Sequence, residues 1–158
     1  MHYDAYISRE GKYLLVEFPD CPGCQTFADT GDDLAQTAQE ALEGWLEAHL
    51  VDGKIPPRPS DHSRAPAGKK LARIPVRAGL TAALTIRWAR HDAGLTQTEL
   101  GKLAGVKQQQ IAKLEDPAEN PTLETIEKVA KALGRAVNVG LEDRARVSIP
   151  APLAAAQR

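Results

Sequence analysis

The two cysteines of the chain lie three positions apart, as Cys21-Pro22-Gly23-Cys24. A C-x-x-C segment can form a redox centre, or it can supply two of the four ligands of a structural zinc site. A redox centre needs a cysteine at a helix N-terminus, because the helix lowers the pKa of the thiol. Here Cys24 is followed by the strand-like residues QTFA, and residues 19–23 are turn-forming. The segment therefore favours a Pro-Gly turn between two strands over a chemical site.

The histidines do not complete a zinc site, since they are scattered without finger spacing: His2, His49, His62 and His91. We therefore predict no metal, no cofactor and no catalytic group. Two cysteines this close do not build a disulfide framework, which agrees with a reducing compartment. The first residues lack the blocks of a secretory signal, and no apolar run approaches the roughly 20 residues that span a bilayer. These features favour a cytoplasmic protein without a membrane partner.

A second group of residues is suited to binding rather than to reaction. Amide and ammonium side chains accumulate just beyond residue 105: Lys107, Gln108, Gln109, Gln110 and Lys113. Glutamine can bridge N6 and N7 of adenine, and lysine can donate to guanine or to phosphate. An isolated run of glutamines would be interpreted as a solvated surface. Whether this run binds DNA therefore depends on the helices and turns around it.

The segment 94–115 predicts two short helices joined by a tight turn. Thr96 begins a helix over Gln97–Ala104, Gly105 makes the turn, and Lys107–Glu115 forms the second helix. Three apolar residues pin that second helix to a core: Val106, Ile111 and Leu114. Two more predicted helices complete a bundle, at residues 81–93 and 123–133. This is the arrangement of a helix-turn-helix, in which the second helix enters the major groove of DNA.

Charge is unevenly divided along the chain, although its formal net value is only −1. Residues 1–63 hold four Lys/Arg and twelve Asp/Glu, a formal charge of −8, whereas residues 64–115 hold ten and three, a charge of +7. In residues 116–158 the six Lys/Arg and the six Asp/Glu balance, so the formal charge of this part is zero. The asymmetry suggests two modules with different partners, of which the basic one suits phosphate.

The acidic front part predicts a small sheet with one helix. Alternating or β-rich segments predict strands at residues 2–8, 13–18 and 24–28. Thr30 is expected to cap a helix whose apolar stripe, from Leu34 to Leu46, lies on the sheet. Residues 51–70 contain four prolines and form a linker or a surface-hugging arm. Short strands are expected at residues 71–77, on a sheet edge because of Pro75, and at residues 136–141.

The rear segment closely resembles the phage-repressor-like (Xre/Cro-like) helix-turn-helix family over about residues 81–133. The matching features are the Thr-Gln start, the Gly-Val turn and the glutamines of the second helix. The resemblance implies that Gln97 contacts phosphate and that Gln108, Gln109 and Lys113 face base edges, with Lys107 and Gln110 beside them. It also implies a structural ion pair between Arg90 and Glu115. A dimer, or a tetramer, would be needed to bind half-sites about 34 Å apart, and residues 136–141 are a candidate dimer contact.

The front part resembles the N-terminal domain of HicB-type antitoxins. The matching residues are Phe18, Pro19, Asp20, Pro22, Gly23, Cys24, Asp29 and Thr30, with Tyr3 near the start. Cys21 stands where an apolar residue is usual, so the C-x-x-C spacing is incidental. The resemblance implies a reduced ribonuclease-H-like sheet and helix that covers the active site of a small basic HicA-like mRNA-cleaving toxin. Candidate toxin-binding residues are the acidic ones near the sheet edge and helix: Asp20, Asp29, Asp32 and Asp33.

The predicted fold class is therefore α+β, a small antiparallel sheet with a helix linked to an all-α helix-turn-helix bundle. We expect a toxin-binding domain at 1–50, a Pro-rich linker at 51–79, a DNA-binding domain at 80–142 and a flexible tail at 143–158. The predicted function is that of an antitoxin, not an enzyme, which neutralises its toxin and represses the operon encoding both proteins by binding operator DNA.

Two other functions remain open at the level of sequence. A metal-dependent ribonuclease would use carboxylates near strands, such as Asp4, Glu17 and Asp20, to hold two metal ions about 4 Å apart, but no set of three or four converges. A stand-alone transcriptional repressor would use the front domain to sense a small molecule or the redox state. A copurifying small basic protein would distinguish the antitoxin from the stand-alone repressor.

Overall fold

The computed structural model describes residues 1–29 and 33–140, and these form two compact units. The sheet unit contains His2–Trp45 and Pro57–Val76, and the helical unit contains Leu46–Pro56 and residues 77–140. Expectations for Thr30 as a helix cap, for Asp32 and for the tail at 143–158 lie outside the described residues. Within them, no helix is long and apolar enough to cross a membrane.

The sheet unit is built on four strands. They are β1 (His2–Glu10), β2 (Tyr13–Glu17), β3 (Gln25–Asp29) and β4 (Lys70–Pro75). The strands lie in the order β3-β2-β1-β4, and every neighbouring pair is antiparallel. Alternation along β1 buries Tyr3, Ala5 and Ile7 on one face. The strand expected at residues 71–77 is β4, and it lies at a sheet edge as its proline predicts.

Helix α1 (Leu34–Val51) carries one apolar stripe at i, i+4 spacing. The stripe is buried throughout, and it extends one turn further than expected: Leu34, Ala38, Leu42, Leu46 and Leu50. Asp33 stands just before the helix, and its Oδ1 accepts from the backbone N–H groups of Ala35 and Gln36 at 3.2 and 3.3 Å. Trp45 lies beside the stripe and is only half-buried.

The proline-rich residues 57–62, here called the Pro-rich arm, lie against the sheet within the sheet unit. The Tyr3 hydroxyl donates to the carbonyl oxygen of Pro57 at 2.7 Å. The backbone N–H of Ser60 donates to Asp20 at 2.9 Å, and that of His62 donates to Asp4 at 2.8 Å. Of the two interpretations left open for this part of the chain, the structure supports the surface-hugging arm.

The helical unit contains four short helices. They are α2 (Ala78–Asp92), α3 (Gln97–Ala104), α4 (Gln108–Leu114) and α5 (Leu123–Ala132). Their shared core contains Ile86, Leu100, Ala104, Ile111, Leu114 and Val129. Helix α2 begins three residues before its expected start at Thr81, and Leu80 of this added turn is buried.

The strand expected at residues 136–141 is wrong over its described part, 136–140, which has no regular secondary structure. Val139 is 64% exposed. A strand needs a neighbour to satisfy its backbone groups, and all strands of the described residues pair with one another in the sheet unit. The dimer contact expected at residues 136–141 relied on that strand, and residues 136–140 do not form one.

Candidate nucleic-acid and protein interfaces

A capping box at the start of α3 and a glycine at its end shape the connection between α3 and α4. Thr96 caps α3, since its Oγ1 accepts from the N–H of Glu99 at 3.2 Å, and the Glu99 carboxylate accepts from the N–H of Thr96 at 2.8 Å. The bonds that the Glu99 carboxylate accepts from the N–H and the hydroxyl of Thr96 lower the pKa of Glu99. Gly105 ends α3 with φ of 66°, a left-handed conformation that glycine adopts without strain. The chain thus turns sharply into α4.

Gly101 allows α3 and the start of α4 to approach closely. A Cβ atom on this glycine would lie 3.0 Å from the carbonyl oxygen of Val106 and 3.3 Å from the backbone nitrogen of Gln108. Both neighbours are backbone atoms, which cannot rotate away. The glycine therefore sets how near the first turn of α4 lies to α3.

A buried carboxylate connects three helices of this unit. The Glu115 side chain, at the end of α4, has no exposed surface. Its Oε1 accepts from Nε of Arg90 at 2.5 Å, and its Oε2 accepts from Arg90 Nη2 at 2.9 Å and from Arg87 Nε at 3.2 Å. Burial acts to raise the pKa of Glu115, but bonds from Arg90 and Gln97 and the arginine charges outweigh it, so the pKa lies below its usual value. Because two nitrogens of Arg90 donate to the two carboxylate oxygens of Glu115, this ion pair is bidentate.

The two glutamines that begin α3 and α4 are linked to this carboxylate. Gln97 donates through Nε2 to Glu115 at 3.1 Å, and Gln108 donates through Nε2 to Oε1 of Gln97 at 2.8 Å. A relay therefore runs from the buried carboxylate to the exposed N-terminus of α4. It fixes the amide of Gln108, which keeps one N–H and its oxygen for another partner.

The other predicted DNA-binding residues take different positions. The side-chain oxygen of Gln110 accepts from the N–H of Lys107 at 3.1 Å, so Gln110 helps to cap α4. Lys113 lies 3.7 Å from Glu119. Gln109 is exposed at the start of the helix. The structure thus brings Gln97 and Gln108 together and leaves Gln109 exposed, whereas Gln110 has a structural bond.

Three of the four acidic residues predicted to bind a toxin are described by the structure, and they are dispersed over the sheet unit. Asp20 accepts from Ser60 and lies 3.3 Å from Nε2 of His62. Burial acts to raise the pKa of Asp20, but the bonds from Ser60 and His62 lower it below its usual value. Asp33 caps α1, and Asp29 lies exposed at the end of β3. Asp20 and Asp33 therefore have local structural roles.

The carboxylates considered for a nuclease do not converge. Asp4 is buried and accepts from the backbone of His62, Glu17 pairs with Lys69, and Asp20 bonds the Pro-rich arm. Among residues 1–29 and 33–140, no group of three His, Cys, Asp or Glu side chains could hold a metal ion. Ser60 and His62 were not identified from the sequence, because they lie about forty positions from Asp20.

The two cysteines form the ends of a β-turn. The N–H of Cys24 donates to the carbonyl oxygen of Cys21 at 2.9 Å, and Gly23 between them has φ of 80°. Both thiols are buried and free. Burial raises the pKa of Cys21 to about 12 and that of Cys24 to about 11. The turn joins β2 to β3, as the sequence predicts, and it holds the thiols in their unreactive form.

Comparison with known proteins divides the chain into a front and a rear part. The HicB_like antitoxin family of bacterial toxin-antitoxin systems matches residues 3–71, and the helix-turn-helix family matches residues 86–138. An uncharacterized HTH-type transcriptional regulator of Haemophilus influenzae is 39% identical over 51 residues, which is 32% of this chain and 52% of that protein. The chain thus combines an antitoxin-type domain with a helix-turn-helix.

Two relatives that match over more than four-fifths of this chain show the particular family. Antitoxin HicB 1 of Photorhabdus laumondii is 30% identical over 133 residues, covering 84% of this chain and 81% of the relative. Antitoxin HicB 2 of the same organism is 25% identical over 135 residues, covering 85% and 92%. A chain of the solved HicA3 and HicB3 toxin-antitoxin complex is 26% identical with a TM-score of 0.44, over 49% of this chain and 99% of that chain. The chain belongs to the HicB antitoxin family, and the resemblance inferred from its sequence is confirmed.

Proposed function

We propose that this antitoxin neutralises a small basic RNA-cleaving toxin of the HicA type by covering its active site, and that it represses its own operon by binding operator DNA. The observation that carries the operator-binding half of the proposal is the exposed amide pair Gln108–Gln109 on a helix whose start is held by the relay from Glu115. The relatives' names, antitoxin and HTH-type regulator, support both halves of the proposal.

In the operator complex, α4 lies in the major groove. The N–H and oxygen that Gln108 keeps free are the two groups that adenine N7 and N6 require. Gln109 reads the neighbouring base edge, while Lys107 and Lys113 approach phosphate or guanine. Gln97 contacts a phosphate through its remaining N–H. A dimer places two such helices in half-sites about 34 Å apart.

Neutralisation is assigned to the sheet unit, which we infer to have a reduced ribonuclease-H-like fold. The strand order β3-β2-β1-β4 supports this assignment. Residues 1–63, most of which belong to this unit, carry the formal charge of −8, and a toxin that holds RNA has to be basic. Opposite potentials of this kind increase the association rate.

Base reading is tested by Gln109→Ala in the full chain. We expect a loss of about 1–3 kcal/mol in binding to the operator and little change on random DNA, measured by fluorescence anisotropy at fixed salt. Gln36→Ala, an exposed glutamine on α1, is the matched control. Equal losses on both DNAs would contradict base reading at this position.

The toxin half is tested by copurification. A tagged full-length chain expressed in its native host should bring down a small basic protein. The copurified protein should cleave RNA only after the antitoxin has been removed from the complex. If no such protein copurifies and no neighbouring gene encodes one, the neutralisation proposal fails while operator binding is unaffected.

A further inference from the structure

One end of a sheet face is open to solvent at β2 and β3. Cross-strand pairing places Leu15 opposite Phe27 and Tyr13 opposite Asp29, and alternate residues of a strand share a face. Tyr13 is 41% exposed and Phe27 is 50% exposed. The two rings line an open depression of about 360 Å³. The two rings and this depression are here called the Tyr13–Phe27 surface.

Exposed aromatic rings are unusual in this chain. It has seven aromatic residues in all, each within the described part: two Trp, three Tyr and two Phe. Tyr13 and Phe27 are the two whose residues are exposed, whereas the other five are buried or half-buried. Large aromatic side chains are enriched among the residues that dominate binding energy at protein interfaces. Two of them side by side therefore indicate a binding surface rather than an accident of composition.

The rim of this surface is acidic. Glu10 of β1 lies opposite Tyr13, and Tyr13 lies opposite Asp29, so the aromatic ring stands between two carboxylates in one row across the sheet. The ring also accepts a cation, since Nζ of Lys12 lies 4.7 Å from its centroid. An acidic rim around aromatic faces is complementary to a partner that presents lysine or arginine.

We propose that the Tyr13–Phe27 surface is where the basic toxin docks, with a lysine or arginine of the toxin taking the place of Lys12 on the Tyr13 ring. This inference rests on the proposed neutralising function and adds the surface that performs it. A second copy of the chain fits less well, because it would bring the same carboxylates against Glu10 and Asp29. Nucleic acid is disfavoured by the same charges.

The aromatic centre is tested with Phe27→Thr and Tyr13→Thr in the full-length chain, since threonine keeps the strand propensity of the site. The probe is the small basic protein that copurifies with the wild-type chain, added back in purified form. Each variant should weaken its binding roughly ten- to thirtyfold, mainly through faster dissociation. Val51→Thr removes an exposed aliphatic group elsewhere and should leave the affinity unchanged. Unaltered hydrogen exchange in β1 shows that the sheet unit of each variant remains folded.

The rim is tested separately with Glu10→Gln combined with Asp29→Asn. Loss of these charges should slow association about two- to fivefold at low salt and should flatten its salt dependence. Glu40→Gln, an exposed carboxylate on α1, is the matched control and should have a smaller effect.

Three results would overturn the inference in different ways. If no basic protein copurifies with the wild-type chain, the proposed neutralisation fails and the docking surface fails with it. If the basic protein binds Phe27→Thr as tightly as the wild type, the surface is wrong while neutralisation stands. If Phe27→Thr abolishes self-association in sedimentation experiments but leaves toxin binding intact, the surface belongs to a second copy.

Discussion

Glu115 is the residue on which most of the predicted DNA-binding edge depends. The sequence implied its pairing with Arg90, but its bonds to Arg87 and Gln97 were not foreseen. Arg87 and Arg90 are three positions apart on one helix, so both can face the same buried group. Removing one partner of a buried ion pair costs about 3–5 kcal/mol, because the remaining charge stays desolvated.

The lowered pKa of Glu115 predicts a specific loss of stability in acid. The unfolded chain takes up a proton near the ordinary value of 4.5, while the folded carboxylate stays charged to lower pH. The stabilisation is therefore complete above about pH 4.5 and is lost as the pH falls through the folded pKa. Urea titrations between pH 7 and pH 3 should show the advantage of the wild type over Glu115→Gln shrinking in that range.

The matched control for the acid titration is Glu40→Gln, which lies exposed on α1. Its difference from the wild type should remain within about 0.5 kcal/mol at every pH. A wild-type advantage over Glu115→Gln that is independent of pH would contradict the lowered pKa.

The buried thiols are expected to resist alkylation in the folded protein. With pKa values of about 12 for Cys21 and about 11 for Cys24, little thiolate is present at pH 8. Iodoacetamide should therefore react more slowly than with the urea-unfolded chain by roughly a hundredfold or more, as measured by intact mass against time. Rapid reaction of either thiol in the folded chain would reopen a redox role for this turn.

At the scale of elements, the close approach of α3 and α4 depends on the missing side chain of Gly101. Alanine in place of a helical glycine normally stabilises by roughly 0.5–1 kcal/mol. A Cβ atom on Gly44 in α1 would stand in open space, so Gly44→Ala should show this gain. Gly101→Ala should lose it through contact with the backbone of Val106, and it should weaken operator binding by displacing α4. Thermal unfolding of the two variants provides the comparison, and an equal gain at both sites would contradict it.

Elements with a local signal were predictable from the sequence, whereas those set by distant contacts were not. Thr96, Gly105 and the apolar spacing predict α3 and α4 to within a residue, because caps and periodicity act over a few positions. Residues 136–140 have β-forming side chains but no neighbouring strand to pair with. Packing of the Pro-rich arm depends on Asp4 and Asp20, and no local pattern reveals partners so distant in sequence.

The candidate binding residues were likewise predictable only where their signal is local in the sequence. The amide-rich start of α4 was visible in the sequence, because it lies inside one recognisable motif. Gln110 looked equivalent to Gln109, and only the structure shows that it bonds the backbone of Lys107. Tyr13 and Phe27 are fourteen positions apart, and it is the pairing of β2 with β3 that brings them together.

At the scale of the whole molecule, the two units do not divide the chain into a front and a rear half. Residues 46–56 belong to the helical unit, where Arg87 donates to the carbonyl oxygens of Leu50 and Lys54 at 2.8 and 3.2 Å. The indole of Trp88 donates to the carbonyl oxygen of Pro56 at 2.8 Å. A fragment that ends at residue 79 would lack all three of these contacts.

This arrangement predicts how such a fragment behaves. In residues 1–79 alone, hydrogen exchange at 46–56 should be faster than in the full chain, because the end of α1 loses its packing and its bonds to α2. Exchange in β1 and β2 should change much less. Mass spectrometry of peptides from both proteins measures the difference, and equal protection at 46–56 would show that this segment needs no partner from the rear of the chain.

The hydrogen bond between Gln97 and Gln108 bears on how operators diverge among related antitoxins. In the proposed complex, Gln97 faces phosphate and Gln108 faces a base, yet one amide orients the other. Replacing Gln108 alone would change the base preference and at the same time leave Gln97 without its donor. We therefore expect a substitution at Gln108 that changes the operator preference to be accompanied by a substitution at Gln97, since either change alone breaks the bond between the two amides.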